Sequence, residues 1–165
     1  MANITLKGNA INTIGNLPNI GTKASNFKLT AVDLSPKSLS DYAGKKIILN
    51  IFPSVDTGTC ATSVREFNKK ATDLKNTVVL CISRDLPFAQ ARFCGAEGIK
   101  NVVMLSDFND GNFGKSYKLE IVNGPLANLH SRAIVILDEN ERVIYTEQVS
   151  EIANEPDYNA ALNVL

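Results

Sequence analysis

A continuous apolar run, Ile47-Ile48-Leu49-Asn50-Ile51-Phe52, leads straight into Pro53-Ser54-Val55-Asp56-Thr57-Gly58-Thr59-Cys60. A helix-period stretch follows, from about Cys60 to Leu74. The run fits a central strand covered on both faces. The expected order is therefore buried strand, tight exit loop, helix, with a cysteine where the loop becomes the helix. The first amides of a helix lack intrahelical partners and its dipole is positive there. Both effects favour thiolate over thiol, and the thiolate is the nucleophile. Pro53 stiffens the strand exit, and Thr57 brings a hydroxyl three positions before the sulfur.

Periodicity organises the rest. Residues 3–14 alternate apolar and polar around Gly8-Asn9, which predicts an N-terminal β-hairpin. Phe27 to Val32 alternates as a strand, and Ser35 to Gly44 reads as a polar connection with a single helical turn at Ser40 to Ala43. In the helix opened by Cys60, the residues Val64, Phe67, Ala71 and Leu74 form the core stripe, leaving Arg65, Glu66, Lys69 and Lys70 to solvent. Thr77 to Ile82 and Asn101 to Leu105 are further strands. Phe88 to Phe93 is a short helix begun after Pro87, and Asn112 to Lys118 is a turn or short helix. Arg132 to Leu137 and Val143 to Val149 flank the turn-like Asp138-Glu139-Asn140-Glu141 as a hairpin, and Pro156 to Leu165 is a terminal helix. Strands alternating with helices, then an antiparallel pair, predict an α/β fold: one mixed central sheet flanked by helices, with residues 1–165 as a single domain.

Composition excludes several function classes. Lys plus Arg and Asp plus Glu both total 17, so nothing electrostatic draws the chain to nucleic acid or an anionic membrane. No apolar stretch approaches the roughly 20 residues that span a bilayer. Met1 to Gly15 lacks a basic segment followed by an apolar one, so a cytoplasmic location is expected. Three cysteines without C-x-x-C spacing and a single histidine, His130, suggest neither a disulfide scaffold nor a metal site. They suit redox work or core packing.

The spacing Pro-x-x-x-Thr-x-x-Cys, filled by Pro53, Thr57 and Cys60, resembles the peroxidatic signature of the peroxiredoxins. Further segments resemble bacterial thiol peroxidases, the atypical 2-Cys members of that family: Val78 to Ser83, Asp85 to Gln90, Arg92 to Gly98, Asn123 to Leu126, Arg132-Ala133 and Glu155 to Tyr158. The likeness covers nearly the whole chain. It implies a thioredoxin-like fold and reduction of hydrogen peroxide and organic hydroperoxides. Cys60 is then the peroxidatic thiol, Cys94 the resolving thiol of an intrachain disulfide, and thioredoxin the electron donor. No metal, haem or flavin is called for, and a homodimer packing near the active-site loops, through Asn123 to Leu126, is implied.

The chemistry sets its own requirements. Breaking a peroxide bond needs a thiolate and a positive charge that stabilises the leaving oxygen. From the residues alone Arg65, Arg84, Arg92 or Arg132 could supply the charge; the resemblance selects Arg132. Thr57 would donate to the sulfur or the peroxide, and amides around Thr59 and Cys60 would complete the pocket. Cys60 and Cys94 fall on separate helices, whereas a disulfide needs Cα atoms within roughly 7 Å. The first helical turn and the Arg92 to Gly98 segment are therefore expected to unwind in each cycle.

The remaining residues take quieter readings. Cys81 is expected to be an inert core thiol, His130 a loop residue and Asp56 solvent-facing. Phe52, Phe88, Phe93 and Leu126 are expected in the core or the pocket wall. Three rivals stand beside the peroxidase. A disulfide reductase wants C-x-x-C, but positions 57 and 63 are Thr and Ser. A peroxide-responsive redox sensor would form the same disulfide with little turnover. A structural binding module would carry inert cysteines.

Overall fold

The computed structural model describes residues 1–165. Strands β1 (Asn3–Leu6) and β2 (Asn9–Asn12) form a separate hairpin. The main sheet holds β3 (Lys28–Ala31), β4 (Pro36–Ser38), β5 (Lys46–Ile51), β6 (Thr77–Ser83), β7 (Val103–Ser106), β8 (Ala133–Leu137) and β9 (Val143–Gln148), in the order β4-β3-β7-β6-β5-β8-β9. Four helices accompany it: α1 (Gly58–Ala71), α2 (Pro87–Glu97), α3 (Asn112–Ser116) and α4 (Tyr158–Leu162). A 3-10 turn spans Leu39–Tyr42. No helix is long and apolar enough to cross a membrane.

The expected mixed sheet is present. Strands β5, β6 and β7 are parallel, while β8 and β3 run antiparallel to their neighbours β5 and β7. Two successive crossovers, β5-α1-β6 and β6-α2-β7, step the same way along the sheet. Crossovers of one hand then place both helices on one face. The core confirms this. Cys60, Val64 and Phe67 of α1 pack with Ile48, Phe52, Val79, Cys81 and Ile134, and Phe93 and Cys94 of α2 lie against the same cluster. The alternate residues Ile47, Leu49, Ile51, Leu80, Ile82 and Val135 face a second cluster, closed by Phe27, Leu39, Phe113 and Tyr117. A period of two divides every central strand between two cores.

Several local expectations are corrected. The hairpin turns on Lys7 and Gly8, not Gly8 and Asn9, because Leu6 pairs with Asn9. Both turn residues have positive φ, 51° and 80°, which a two-residue turn matching strand twist requires. The connection from Ser35 contains a strand, β4, which a three-residue edge segment with Pro36 and no apolar alternation does not announce. Helix α1 begins at Gly58, with Thr57 as N-cap, so Cys60 is its third residue rather than its opener. Helix α2 runs past Phe93 to Glu97 and stops at Gly98, whose left-handed φ of 65° returns its N–H to the Cys94 carbonyl. Helix α4 is one short segment, capped by the Asp157 carboxylate on Ala160 N–H at 2.9 Å.

His130 is no free loop residue. It forms a bridge to Glu120, is fully buried, and its Nε2 lies 2.9 Å from Asp107 Oδ2. The Asp107 carboxylate also accepts from the Phe113 and Gly114 amides, so the pair fastens the start of α3. Phe88, expected inside, is 66 % exposed on the first turn of α2.

Phe67 is the fully buried knob of α1 and meets the Tyr158 ring edge-on, with centroids 5.3 Å apart. Truncation to alanine leaves a cavity as well as lost transfer energy. Phe67→Ala should lower unfolding free energy by about 3–5 kcal/mol in urea titrations. A loss below about 1 kcal/mol would contradict this packing.

Candidate active site

The site forms where β5 leaves the sheet, at the carboxyl end of the parallel strands. Phe52 N–H still reaches the Ile82 carbonyl, and the chain then turns at Pro53. Thr57 closes that turn: its N–H and its hydroxyl both donate to the Ser54 carbonyl at 3.2 Å. With φ −98° and ψ 145°, Thr57 is extended, and its carbonyl accepts the first helical bond from Ala61 N–H. The amides of Gly58, Thr59 and Cys60 are left without a partner in the protein. They form the electropositive mouth of α1.

Cys60 is 0 % exposed. Its neighbour follows from strand register. β8 runs antiparallel to β5 with Ala133 opposite Ile51, so Arg132 arrives beside the strand exit. Its Nη2 donates to Cys60 Sγ at 3.2 Å, and its Nε donates to the Ile152 carbonyl at 2.8 Å. Arg132 is only 2 % exposed, and its Nη1 is buried with no partner. The other three arginines weighed for this role are engaged elsewhere. Arg65 pairs with Glu97, Arg84 donates to the Asn128 carbonyl, and Arg92 pairs with Asp56.

Pro53, Thr57 and Arg132 meet around a cavity of about 130 Å³. Its opposite wall is apolar, made of Leu6, Leu126 and Ile152. Leu126 is thus pocket wall, as expected, whereas Leu6, from the N-terminal hairpin, was not foreseen. The expected bond from Thr57 to the sulfur is absent, because its one hydroxyl proton goes to Ser54. Its oxygen keeps lone pairs that can accept. A larger polar depression near Lys37, Asp41 and Asp110, about 520 Å³, borders none of the three cysteines.

The lining of the smaller cavity includes Arg132, which touches the buried Cys60, but neither Cys60 itself nor Cys94. Cys94 sits half-buried on α2, and burial pushes its thiol pKa up. All three thiols are free. Cys81 is sealed in β6, where burial pushes its pKa up to about 12 despite the Asn50 amide at 3.6 Å. It is the inert core thiol expected. Asp56 is exposed, as expected, with its carboxylate toward Arg92 at 3.2 Å.

Comparison with known proteins agrees with this arrangement. A family model described as Redoxin matches residues 19–162. A thiol peroxidase of Mycobacterium bovis is 54 % identical over 165 residues, covering 100 % of this chain and 99 % of that protein. A peroxiredoxin-like protein from Aquifex aeolicus superposes with a TM-score of 0.92 at 32 % identity, over 98 % of this chain and 94 % of that one. A thiol peroxidase from Chromobacterium violaceum shares the fold, with a TM-score of 0.90 at 22 % identity, over 98 % and 93 %.

One supporting residue left no signal in the sequence. The Glu151 carboxylate accepts from Thr5 Oγ1 at 2.7 Å, Lys7 N–H at 3.0 Å, Gly8 N–H at 3.1 Å and Ala153 N–H at 3.2 Å. It ties the hairpin turn to the segment whose Ile152 carbonyl orients Arg132. The Ala153 carbonyl in turn accepts from Thr59 Oγ1 at 2.8 Å, inside the first turn of α1. The Thr5 hydroxyl, then the Gly8 amide, pull the Glu151 pKa from 4.5 down to about 2. A carboxyl held below its unfolded value contributes stability above the unfolded pKa, and that stability fades as pH falls through the folded one. Glu151→Gln should therefore be less stable than wild type at pH 7. The gap should close between pH 4.5 and about 2, as read from thermal unfolding across that range. A pH-independent gap would contradict the assignment.

Proposed function

The chain belongs to the Redoxin family and groups with the thiol peroxidases, and from that premise we propose that it is a peroxiredoxin-type peroxidase. It reduces hydrogen peroxide and organic hydroperoxides at Cys60 and is recycled by thioredoxin. The observation that carries this reading is the contact between the Arg132 guanidinium and the Cys60 sulfur. A buried positive charge touching a sulfur favours negative charge there. The same guanidinium keeps a buried Nη1 without a partner, and Arg132 lines the cavity together with Gly58 and Thr59, whose amides are unpaired.

In the proposed cycle a hydroperoxide enters the cavity with its slender O–O end toward Cys60. The Thr57 oxygen accepts a hydrogen bond from the hydroperoxide O–H, since its own hydrogen is committed to Ser54. The thiolate attacks the near, hydrogen-bearing oxygen, and the O–O bond breaks. The departing alkoxide or hydroxide takes up from water the proton that Cys60 released on ionising, leaving as alcohol or water. Arg132 and the α1 amides hold the developing negative charge. Cys60 is left as a sulfenic acid. Cys94 condenses with it, expelling water and forming an intrachain disulfide. Thioredoxin supplies the two electrons and two protons that restore both thiols.

Burial keeps Cys94 protonated and idle until α2 loosens. Gly95, inside α2, supports that loosening, since glycine is a poor helix former. The apolar wall of Leu6, Leu126 and Ile152 suits an alkyl substituent. Residues 1–165 work as one domain in the cytoplasm, as a homodimer that packs near the Asn123 to Leu126 loop. No resident cofactor takes part.

Reduced protein treated with one equivalent of peroxide, thiol-blocked and mapped by mass, should show a Cys60–Cys94 bridge with Cys81 free. Cys94→Ser should stop at Cys60 sulfenic or sulfinic acid and lose turnover with thioredoxin. Arg132→Met should slow Cys60 oxidation by about 10²–10³-fold in stopped-flow. Intact thiols at all three positions would overturn the reading. A bridge without thioredoxin-driven turnover would make the protein a redox sensor instead.

A further inference from the structure

The segment Asp85-Leu86-Pro87-Phe88-Ala89-Gln90 has so far no part in the chemistry, yet it lies between the two working cysteines. Asp85 sits half-buried in the loop between β6 and α2. Its Oδ1 accepts from Ser54 Oγ at 2.6 Å. Its Oδ2 accepts from Val55 N–H at 2.9 Å and from Ser83 Oγ at 2.5 Å. Ser54 and Val55 belong to the turn that delivers Cys60. Its own backbone is fixed as well, because the Ser106 hydroxyl donates to the Asp85 carbonyl. Gln90, buried on α2, donates to Ser83 Oγ at 3.2 Å and to the Leu105 carbonyl at 3.0 Å. One carboxylate thus bolts the Cys60 turn to the carboxyl end of β6, against which the Cys94 helix is seated through Gln90.

We propose that Asp85 is a positioning residue that holds the Pro53–Thr57 turn in register for peroxide attack and restrains its release for disulfide formation. The proposal rests on the assignment of Cys60 and Cys94 above. Attack requires the sulfur, the O–O axis and Arg132 to be aligned, and small displacements are costly to such a step. Resolution requires the opposite: the Cys60 turn and α2 must part. Two ion pairs, Asp56 with Arg92 and Arg65 with Glu97, also cross between these elements but lie on exposed side chains. Exposed pairs hold little. Asn68 ties the far half of α1 to Lys100 and Asn101, past the end of α2 and away from the Cys60 turn. Charge-assisted bonds to a half-buried carboxylate hold more. Asp85 is therefore the link whose strength sets how the two steps divide.

The test is Asp85→Asn, whose amide nitrogen cannot accept one set of these bonds. In stopped-flow, reduced Asp85→Asn should show Cys60 oxidation by hydrogen peroxide slowed about tenfold, as expected for loss of a charge-assisted bond. Disulfide formation in the same trace should be as fast as wild type or faster. Consistent with that, less sulfinic acid should accumulate at Cys60 under excess peroxide. A protein damaged only in folding would slow both steps together. Ser54→Ala removes the bond to Asp85 and the one Ser54 Oγ accepts from Asp56 N–H, but leaves the Asp85 bonds to Val55 and Ser83 in place. It should move both rates in the same directions by less. It also keeps the test open if Asp85→Asn does not fold. Wild-type oxidation in Asp85→Asn, or equal slowing of both steps in both variants, overturns the proposal. Failure of wild type itself to form the Cys60–Cys94 bridge would sink the cysteine assignment instead.

Discussion

A guanidinium withdrawn from water is the constraint around which this molecule is arranged. A charge so buried must be paired or hydrogen-bonded. Arg132 meets that demand with a sulfur on one nitrogen and a backbone carbonyl on another. Each partner imposes a requirement of its own. The sulfur must sit in the first turn of α1, so β5 must end where it does. The carbonyl belongs to Ile152, so the segment after β9 must fold back across the site. That segment is pinned by Glu151 to the N-terminal hairpin, which contributes Leu6 to the cavity wall. Chain ends far apart in sequence are thereby brought to one residue.

The sheet explains how the rest is accommodated. Antiparallel β8 brings Arg132 to the carboxyl end of β5, a place that a parallel strand would have filled with its own exit loop. The two parallel crossovers set α1 and α2 side by side. Both cysteines therefore lie over the same apolar cluster, yet on different helices. The proposed union of the two sulfurs would therefore require the helices to rearrange.

Much of this was legible from the chain, and the exceptions have physical causes. The order of strands and helices follows from periodicity, which reports burial directly. The Pro53, Thr57 and Cys60 spacing is local, so it survives in sequence as a motif, and Arg132 was found only through resemblance. Glu151 was invisible because its bonds to the hairpin join residues more than 140 positions apart and three of its four bonds come from backbone amides. Backbone carbonyls such as those of Ile152 and Ala153 carry no residue identity at all. Strand β4 escaped notice because an edge strand needs no apolar face. Phe88 was misplaced because aromatic character speaks for burial on average, and this ring stands on the outer side of a helix's first turn. The Thr57 hydroxyl was expected to donate to the sulfur or to the peroxide, but it donates to the Ser54 carbonyl, a backbone acceptor that residue identity does not announce.

The sheet also separates two cores of different character. The face carrying Phe27, Phe113 and Tyr117 holds none of the reactive groups, and its aromatic rings stack and cross without interruption. The opposite face carries every cysteine and a buried amide, Asn50, with one oxygen unsatisfied. Chemical wear thus falls on one side of a wall. Oxidation at the proposed Cys60 nucleophile would strike the core that also holds Phe67, and the aromatic face beyond the sheet would be left untouched.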